Sequence, residues 1–148
     1  MAALGEQTLK VCARRTRGTV VWLAGPRTIA EHLAPILHAA AVEADVTSPQ
    51  IVAALPVVVT DDETATRNRL STMLAAQGAL PSYRSLLDRE RADGPGDVAI
   101  VGDEAAVRRQ ISAMFDAGAT EFCAVEVGAN TDEVTRTRAV LRALNGAS

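Results

Sequence analysis

An α/β domain built on a parallel sheet is what this sequence predicts, and three observations carry the prediction. Apolar residues make up 48% of the 148, enough for one domain with a real core. Two runs, "GTVVWLA" at 18–24 and "QIVAALPVVVT" at 50–60, are nearly all apolar, as strands covered on both faces are. Helical patterns alternate with these runs along the chain, and such alternation calls for right-handed crossovers between parallel strands.

Each element has its own local reason. Residues 6–15 place Leu9, Cys12 and Ala13 on one helical face. After the strand at 18–24, Pro26 suits the first turn of a helix, and 27–44 continue with helical spacing. Pro35 inside that helix predicts a kink near residues 31–35. In the second strand Pro56 cannot donate to a ladder, so a bulge or an exposed donor position is expected there. Thr60-Asp61-Asp62-Glu63 fits a capping box, with Thr60 as the cap and Glu63 reaching back. A helix to about Ala76 follows, and Gly78 can end it. Residues 81–90 read as another short helix, and "RADGPGD" at 91–97 as a loop. Asp103 can cap a helix whose face holds Val107, Ile111, Met114 and Phe115. Gly118 ends it, 119–127 form a third strand, and a helix over roughly 131–145 carries Val134, Val140, Leu141 and Leu144.

Composition narrows the function classes. The formal charge is −3, and aromatics are only 3%. Arg14, Arg15 and Arg17 cluster without interleaved aromatics, which reads as a solvated helix end and not as a nucleic-acid footprint. Cys12 and Cys123 belong to no CxxC pair and are expected to be reduced, buried thiols. No apolar run approaches a membrane span and no signal peptide is visible, so a cytoplasmic location is expected. No metal site is expected either. Asp61, Asp62 and Glu63 are explained by capping, and His32 and His38, six apart on one helix, share no face. Gly102-Asp103-Glu104 has the outline of a phosphate loop, but its carboxylates would repel phosphate. Trp22 reads as core, and Tyr83 and Arg84 fall in a segment that either packs or covers a site.

The stretch "GTVVWLAGPRT" at 18–28 leaves two readings open. Gly25-Pro26 can simply turn the chain, with Arg27 a solvated first-turn residue. Alternatively, free amides at a helix start, a glycine permitting close approach and an arginine fork together make a seat for an anion.

Three long strands make a narrow sheet, with edges that invite pairing. "MAALG" looks like the tail of a strand, which points to part of something larger. Five stretches in order, "AALG" (2–5), "GTVVWLAGPRTIAEHLAP" (18–35), "LPVVVTDD" (55–62), "LPSYRSLLDRE" (80–90) and "VAIVGDEAAVRRQISAMFDAGATEF" (98–122), resemble the C-terminal half of the luciferase-like monooxygenase superfamily. The closest resemblance is to its deazaflavin (coenzyme F-420)-dependent oxidoreductase branch.

The resemblance implies a TIM-type barrel, of which this chain would be half: the end of the fifth strand at 2–5, and the sixth to eighth strands at 18–24, 50–60 and 119–127. Residues 1–148 would be one domain, with a helical insertion at about 61–97. The implied activity is hydride transfer or monooxygenation on a small-molecule substrate, with F-420 or FMN as cofactor. In relatives the catalytic histidine and acid come from the N-terminal half, so no catalytic residue is assigned and the chain alone is expected to be inactive. By likeness, Leu4, Gly5 and Gln7 would lie on the cofactor side, and Gly25, Arg27 and Thr28 would bind an anion. Ala24 stands where several relatives offer a hydroxyl, and Glu6 would oppose an anion beside Gly5. Expected partners are a second copy of the chain or an N-terminal half, with no nucleic acid and no membrane. The alternative function is a non-enzymatic, degenerate half-barrel acting as a binding or dimerisation module. A flavodoxin-like fold would need a more complete sheet.

Overall fold

The structure, a computed structural model, describes residues 5–46 and 49–146. Helix α1 (Glu6–Arg15) buries Leu9, Cys12 and Ala13, the face its spacing predicts. It leads into strand β1 (Gly18–Trp22). The next helical run has three parts: α2 (Pro26–Thr28), a π-helical turn (Ile29–Leu33) and α3 (Ala34–Glu43). The π turn is the local answer to Pro35. A proline cannot donate to the carbonyl four residues back, and the ladder widens one turn earlier, where the Ala34 N–H reaches the Ile29 carbonyl. The irregularity falls where the sequence predicts a kink, yet the run continues unbroken to Glu43.

Strand β2 (Gln50–Val59) is followed by four short helices: α4 (Glu63–Met73), α5 (Ala75–Gly78), α6 (Pro81–Glu90) and α7 (Pro95–Val98). Strand β3 (Ile100–Gly102), helix α8 (Glu104–Asp116), strand β4 (Glu121–Glu126) and helix α9 (Thr131–Asn145) complete the order. All pairings are parallel. β2 pairs with β1 from Gly18↔Gln50 to Trp22↔Ala54, with β3 from Val57↔Ile100 to Val59↔Gly102, and with β4 from Val52↔Glu121 to Val57↔Glu126.

Alternation along β2 explains how it tolerates Pro56. The Leu23 N–H donates to the Ala54 carbonyl, and the Thr60 N–H to the Gly102 carbonyl. Even-numbered backbone groups of β2 therefore face the edge shared by β1 and β3. Pro56 falls between the end of one ladder at Ala54 and the start of the other at Val57, so its missing donor breaks neither. No bulge forms, and the β4 register runs straight through Pro56↔Val125.

The same alternation divides the sheet faces. Val21, Ile51, Ala53, Leu55, Val57 and Val59 join the main core with Leu9, Leu33, Leu37, Val107, Ile111, Met114 and Val140 from the helices. The opposite face is covered only toward the strand C-termini, where Leu70 of α4 packs on Val58, Ala99 and Val101. Lower on that face Val20 is 43% exposed, and Cys123, in register with Ala54, is exposed. The expectation of two buried thiols is thus half wrong. Cys12 is buried between helix and sheet, whereas Cys123 sits on the face that no element among the described residues covers.

Two more local expectations need correction. The cap of α4 is Asp62, whose Oδ1 accepts from the Ala65 N–H at 3.0 Å, and not Thr60. Thr60 instead accepts from the Asp62 N–H and donates to Glu133 of α9 at 2.9 Å. No strand is expected before Asp103, yet β3 forms there. Arg67 helps hold it, donating to the carbonyls of Gly96 and Ala99 at 2.9 Å each. α4 and α7 approach so closely there that a Cβ on Gly96 would lie 2.1 Å from the Arg67 carbonyl oxygen.

Leu70 is fully buried in the small second cluster. Leu70→Ala is expected to lower stability by about 2–4 kcal/mol, read from the urea midpoint at unchanged slope.

Candidate functional site

Because every strand is parallel, the chain leaves the sheet toward helix starts along one rim, where α/β sheets bind ligands. The turn after β1 spans only residues 23–25. Leu23 is fully buried at φ 57°, a left-handed conformation that a bulky residue adopts only under tertiary constraint. Gly25 is then extended and Pro26 opens the helix. Pro26 has no N–H, and the Ile29 N–H is taken by the Gly25 carbonyl. The Thr28 amide points instead to the carboxylate of Glu90, with N···Oε1 2.5 Å. Glu90 packs against the glycine so closely that a Cβ on Gly25 would lie 2.7 Å from its Cδ.

At this helix start, which the sequence leaves open as a plain turn or an anion seat, the Thr28 amide is bonded to a carboxylate of the chain itself. Arg27 does not cross the seat. Its Nε lies 3.1 Å from Glu31 Oε2, one turn along the helix. The Thr28 side chain is fully buried, and its Oγ1 has no hydrogen-bond partner among the described residues.

Two adjoining pockets continue the rim. One, about 200 Å³, is lined by Arg27, Thr28, Glu31, His32, Asp88, Arg89 and Arg91. The other, about 250 Å³, holds Gly5, Glu6, His32, Ser82, Ser85, Leu86 and Arg89. His32 and Arg89 belong to both, so Gly5 and Arg27 line neighbouring pockets that share these two residues. Burial lowers the His32 pKa below the usual histidine range, and the Arg89 guanidinium adds to the effect. Gly5 is the N-cap residue of α1. Gln7 is exposed and lines neither pocket. Leu4 lies outside the described residues. Glu90, Arg89, Arg91 and His32 in this setting were missed by sequence reasoning. The only signal was the alternating charge of "DRER" at 88–91, which by itself reads as a solvated helix end.

Elsewhere on the rim the acids are occupied. Asp62 and Asp103 cap α4 and α8, the latter accepting from Ala106 N–H at 2.7 Å. Glu63 pairs with Arg67. Arg136 of α9 pairs with Asp61 at 3.0 Å and Glu104 at 2.7 Å, tying together the exits of β2 and β3. Glu133 accepts from Thr60 and from the Ala129 N–H. Among the described residues no group of three His, Cys, Asp or Glu is placed to hold a metal, and no helix is long and apolar enough to cross a membrane. A cleft of about 620 Å³ lies on the helix side of β4 between α8 and α9, lined by Phe115, Phe122, Leu141 and Leu144 among others. It is a gap in the helix layer and shares no residue with the two pockets at the rim.

Comparison with known proteins follows the same lines. The sequence profile of the luciferase-like monooxygenase family matches residues 1–129. No curated protein matches. Among solved structures, an F420-dependent secondary alcohol dehydrogenase in complex with an F420-acetone adduct superposes with TM-score 0.68 at 14% identity, over 97% of this chain and 47% of that one. The coenzyme F420-dependent tetrahydromethanopterin reductase from Methanopyrus kandleri gives 0.72 at 18%, over 95% and 48%. A type II Baeyer-Villiger monooxygenase, the oxygenating constituent of 3,6-diketocamphane monooxygenase from Pseudomonas putida, in complex with FMN, gives 0.58 at 16%, over 86% and 41%. The chain spans less than half the length of each.

Arg136 holds the Glu104 carboxyl down at about 2. A carboxyl depressed on folding contributes stability above its unfolded pKa, and loses it as pH falls through its folded one. The Arg136 contribution should therefore be intact at neutral pH and fade as pH falls from about 4 toward 2. Arg136→Ala should move the Glu104 carboxyl-carbon NMR titration up toward about 4.3 and flatten that part of the acid-stability curve.

Proposed function

This chain belongs to the luciferase-like monooxygenase family, and on that premise we propose that it is the C-terminal half-barrel of a flavin- or deazaflavin-dependent oxidoreductase. The observation that carries the reading is the match of nearly the whole chain to less than half of each relative, together with a sheet whose second face is left open. Helices cover one face, as on the outside of a (β/α)8 barrel. Val20, Val52, Ala54, Cys123 and Val125 share the other, which is the lumen side. An N-terminal half, in the same polypeptide or another, would close that lumen and bring the reacting groups.

The residues present fit a phosphate-bearing cofactor or substrate in two respects. Gly25 forms a cradle that any side chain would fill, and Thr28 carries a buried hydroxyl with no partner. The cofactor, F420 or FMN, would supply hydride transfer or the activation of oxygen. Gly25, Arg27 and Thr28 would hold the anion at the helix start, where the dipole contributes about half a positive charge. Leu4, Gly5 and Gln7 would stand on the cofactor side. Burial and the Arg89 guanidinium lower the His32 pKa, so a positive charge on His32 is disfavoured there. No catalytic residue is assigned to this half. The non-enzymatic alternative is favoured by one feature, the Glu90 carboxylate already bonded to the Thr28 amide.

Titration of the purified chain with FMN and with F420, followed by fluorescence, tests the reading. Saturable but weak binding without turnover is expected, and Arg27→Ala should weaken it about tenfold, as loss of a charged contact does. Absence of saturable binding by either cofactor would remove the proposed site. The open lumen face should also make the isolated chain self-associate. A stable monomer on size-exclusion chromatography would contradict this, whereas Val20→Lys should shift an oligomer toward monomer.

A further inference from the structure

Glu90 reaches its place through an unusual helix end. It is the last residue of α6, and Arg91 follows at φ 59°. The Ala92 N–H returns to the Leu87 carbonyl at 2.9 Å, and the Arg91 N–H to Asp88 at 3.1 Å. That is a Schellman ending, in which the left-handed position is normally glycine. Here it is an arginine, at φ 59° in a conformation that side chains other than glycine's disfavour. The turn leaves the Glu90 carboxylate over Gly25 and on the Thr28 amide, 62 residues away along the chain.

The charges around it are unbalanced. Arg27 is paired with Glu31, and Asp88 with Arg84. Arg89 and Arg91, on either side of Glu90, line the pocket beside Thr28 and form no ion pair among the described residues. The helical run that starts at this seat continues to Glu43. The buried, unpartnered Thr28 Oγ1 belongs to the residue whose amide Glu90 holds.

We propose that Glu90 is an internal anion that occupies the Gly25–Thr28 seat, and that a phosphate-class oxyanion binds there only in exchange for it. This rests on the reading of Gly25, Arg27 and Thr28 as an anion seat and says how that seat is regulated. The incoming oxygen takes the Thr28 N–H as the Glu90 carboxylate leaves. A phosphate dianion brings more negative charge than the carboxylate it replaces, and Arg89 and Arg91 stand beside the seat to balance it. No covalent change is involved.

Glu90→Gln separates exchange from simple bracing. Glutamine keeps an oxygen to accept from Thr28 and removes the charge. With inorganic phosphate as the probe, followed by the Thr28 amide in ¹H–¹⁵N spectra, the exchange predicts that E90Q binds about tenfold tighter than the parent chain. Adding Arg27→Ala should cancel most of that gain. Equal affinity in E90Q and parent, both saturable, would overturn the exchange and leave the seat standing. Failure of both to bind phosphate would remove the seat, and the exchange with it. If E90Q does not fold, Glu90→Asp, which draws the carboxylate back by one methylene, should give a smaller gain of the same sign, and no gain would overturn the proposal. FMN against riboflavin identifies the source of the anion. The E90Q gain extends to FMN and not to riboflavin if the cofactor phosphate is the ligand. It appears with inorganic phosphate but not FMN if the anion belongs to a substrate.

Discussion

β2 holds the sheet together because it is the only strand among those described that pairs along both edges. β1 lies on its first half, β3 on the last residues of the same edge, and β4 along the other. Ten residues thus place all three neighbours, and their side chains supply Ile51, Ala53, Leu55, Val57 and Val59 to the main core and Val58 to the second cluster. Backbone alternation makes this work. It sends the one residue without an N–H, Pro56, into the interval between two ladders, and it sorts the apolar run into a helix-covered face and a lumen face.

From that strand follows the rim. Parallel pairing sends the exits of the strands to one side, so helix starts, capping acids and their partners gather there. The exit of β2 is tied to α9 by Thr60–Glu133 and by Thr137, which accepts from the Val59 N–H. Arg136 joins the exits of β2 and β3. These contacts use most of the rim's acidic charge in bracing and capping. What remains is the corner where β1 runs into α2, with Arg89 and Arg91 in no ion pair among the described residues and Glu90 on the helix amide. The electrostatic asymmetry of the site is therefore what bracing elsewhere leaves behind.

How legible this was depends on the range of the forces involved. Helix α1, the start at Pro26, the Asp103 cap and the apolar strands are written in residues a few positions apart, and they stand as the spacing predicts. The capping of α4 was misread because Thr60 and Asp62 are both competent caps. The choice between them was made by Glu133, which engages the Thr60 hydroxyl from 73 residues away. β3, with three residues, is too short for a periodic signal and depends on pairing with Val57–Val59 and on Arg67. Cys123 looked like core because its strand is apolar, but which face of a strand is covered is a property of the packing.

The site divides in the same way. Residue types that can seat an anion, Gly25, Pro26, Arg27 and Thr28, are consecutive, and their local conformational preferences place a glycine and a free amide at a helix start whatever lies around them. What occupies that start was decided only when α6 docked across it. The docking carries Glu90 onto Thr28 and brings Arg89 and Arg91 alongside. Local sequence determines where backbone donors will be exposed, because φ and ψ preferences and hydrogen-bond geometry act over a single turn. Which charge meets them depends on contacts between segments far apart in the chain, and those exist only once burial of the shared core has brought the segments together.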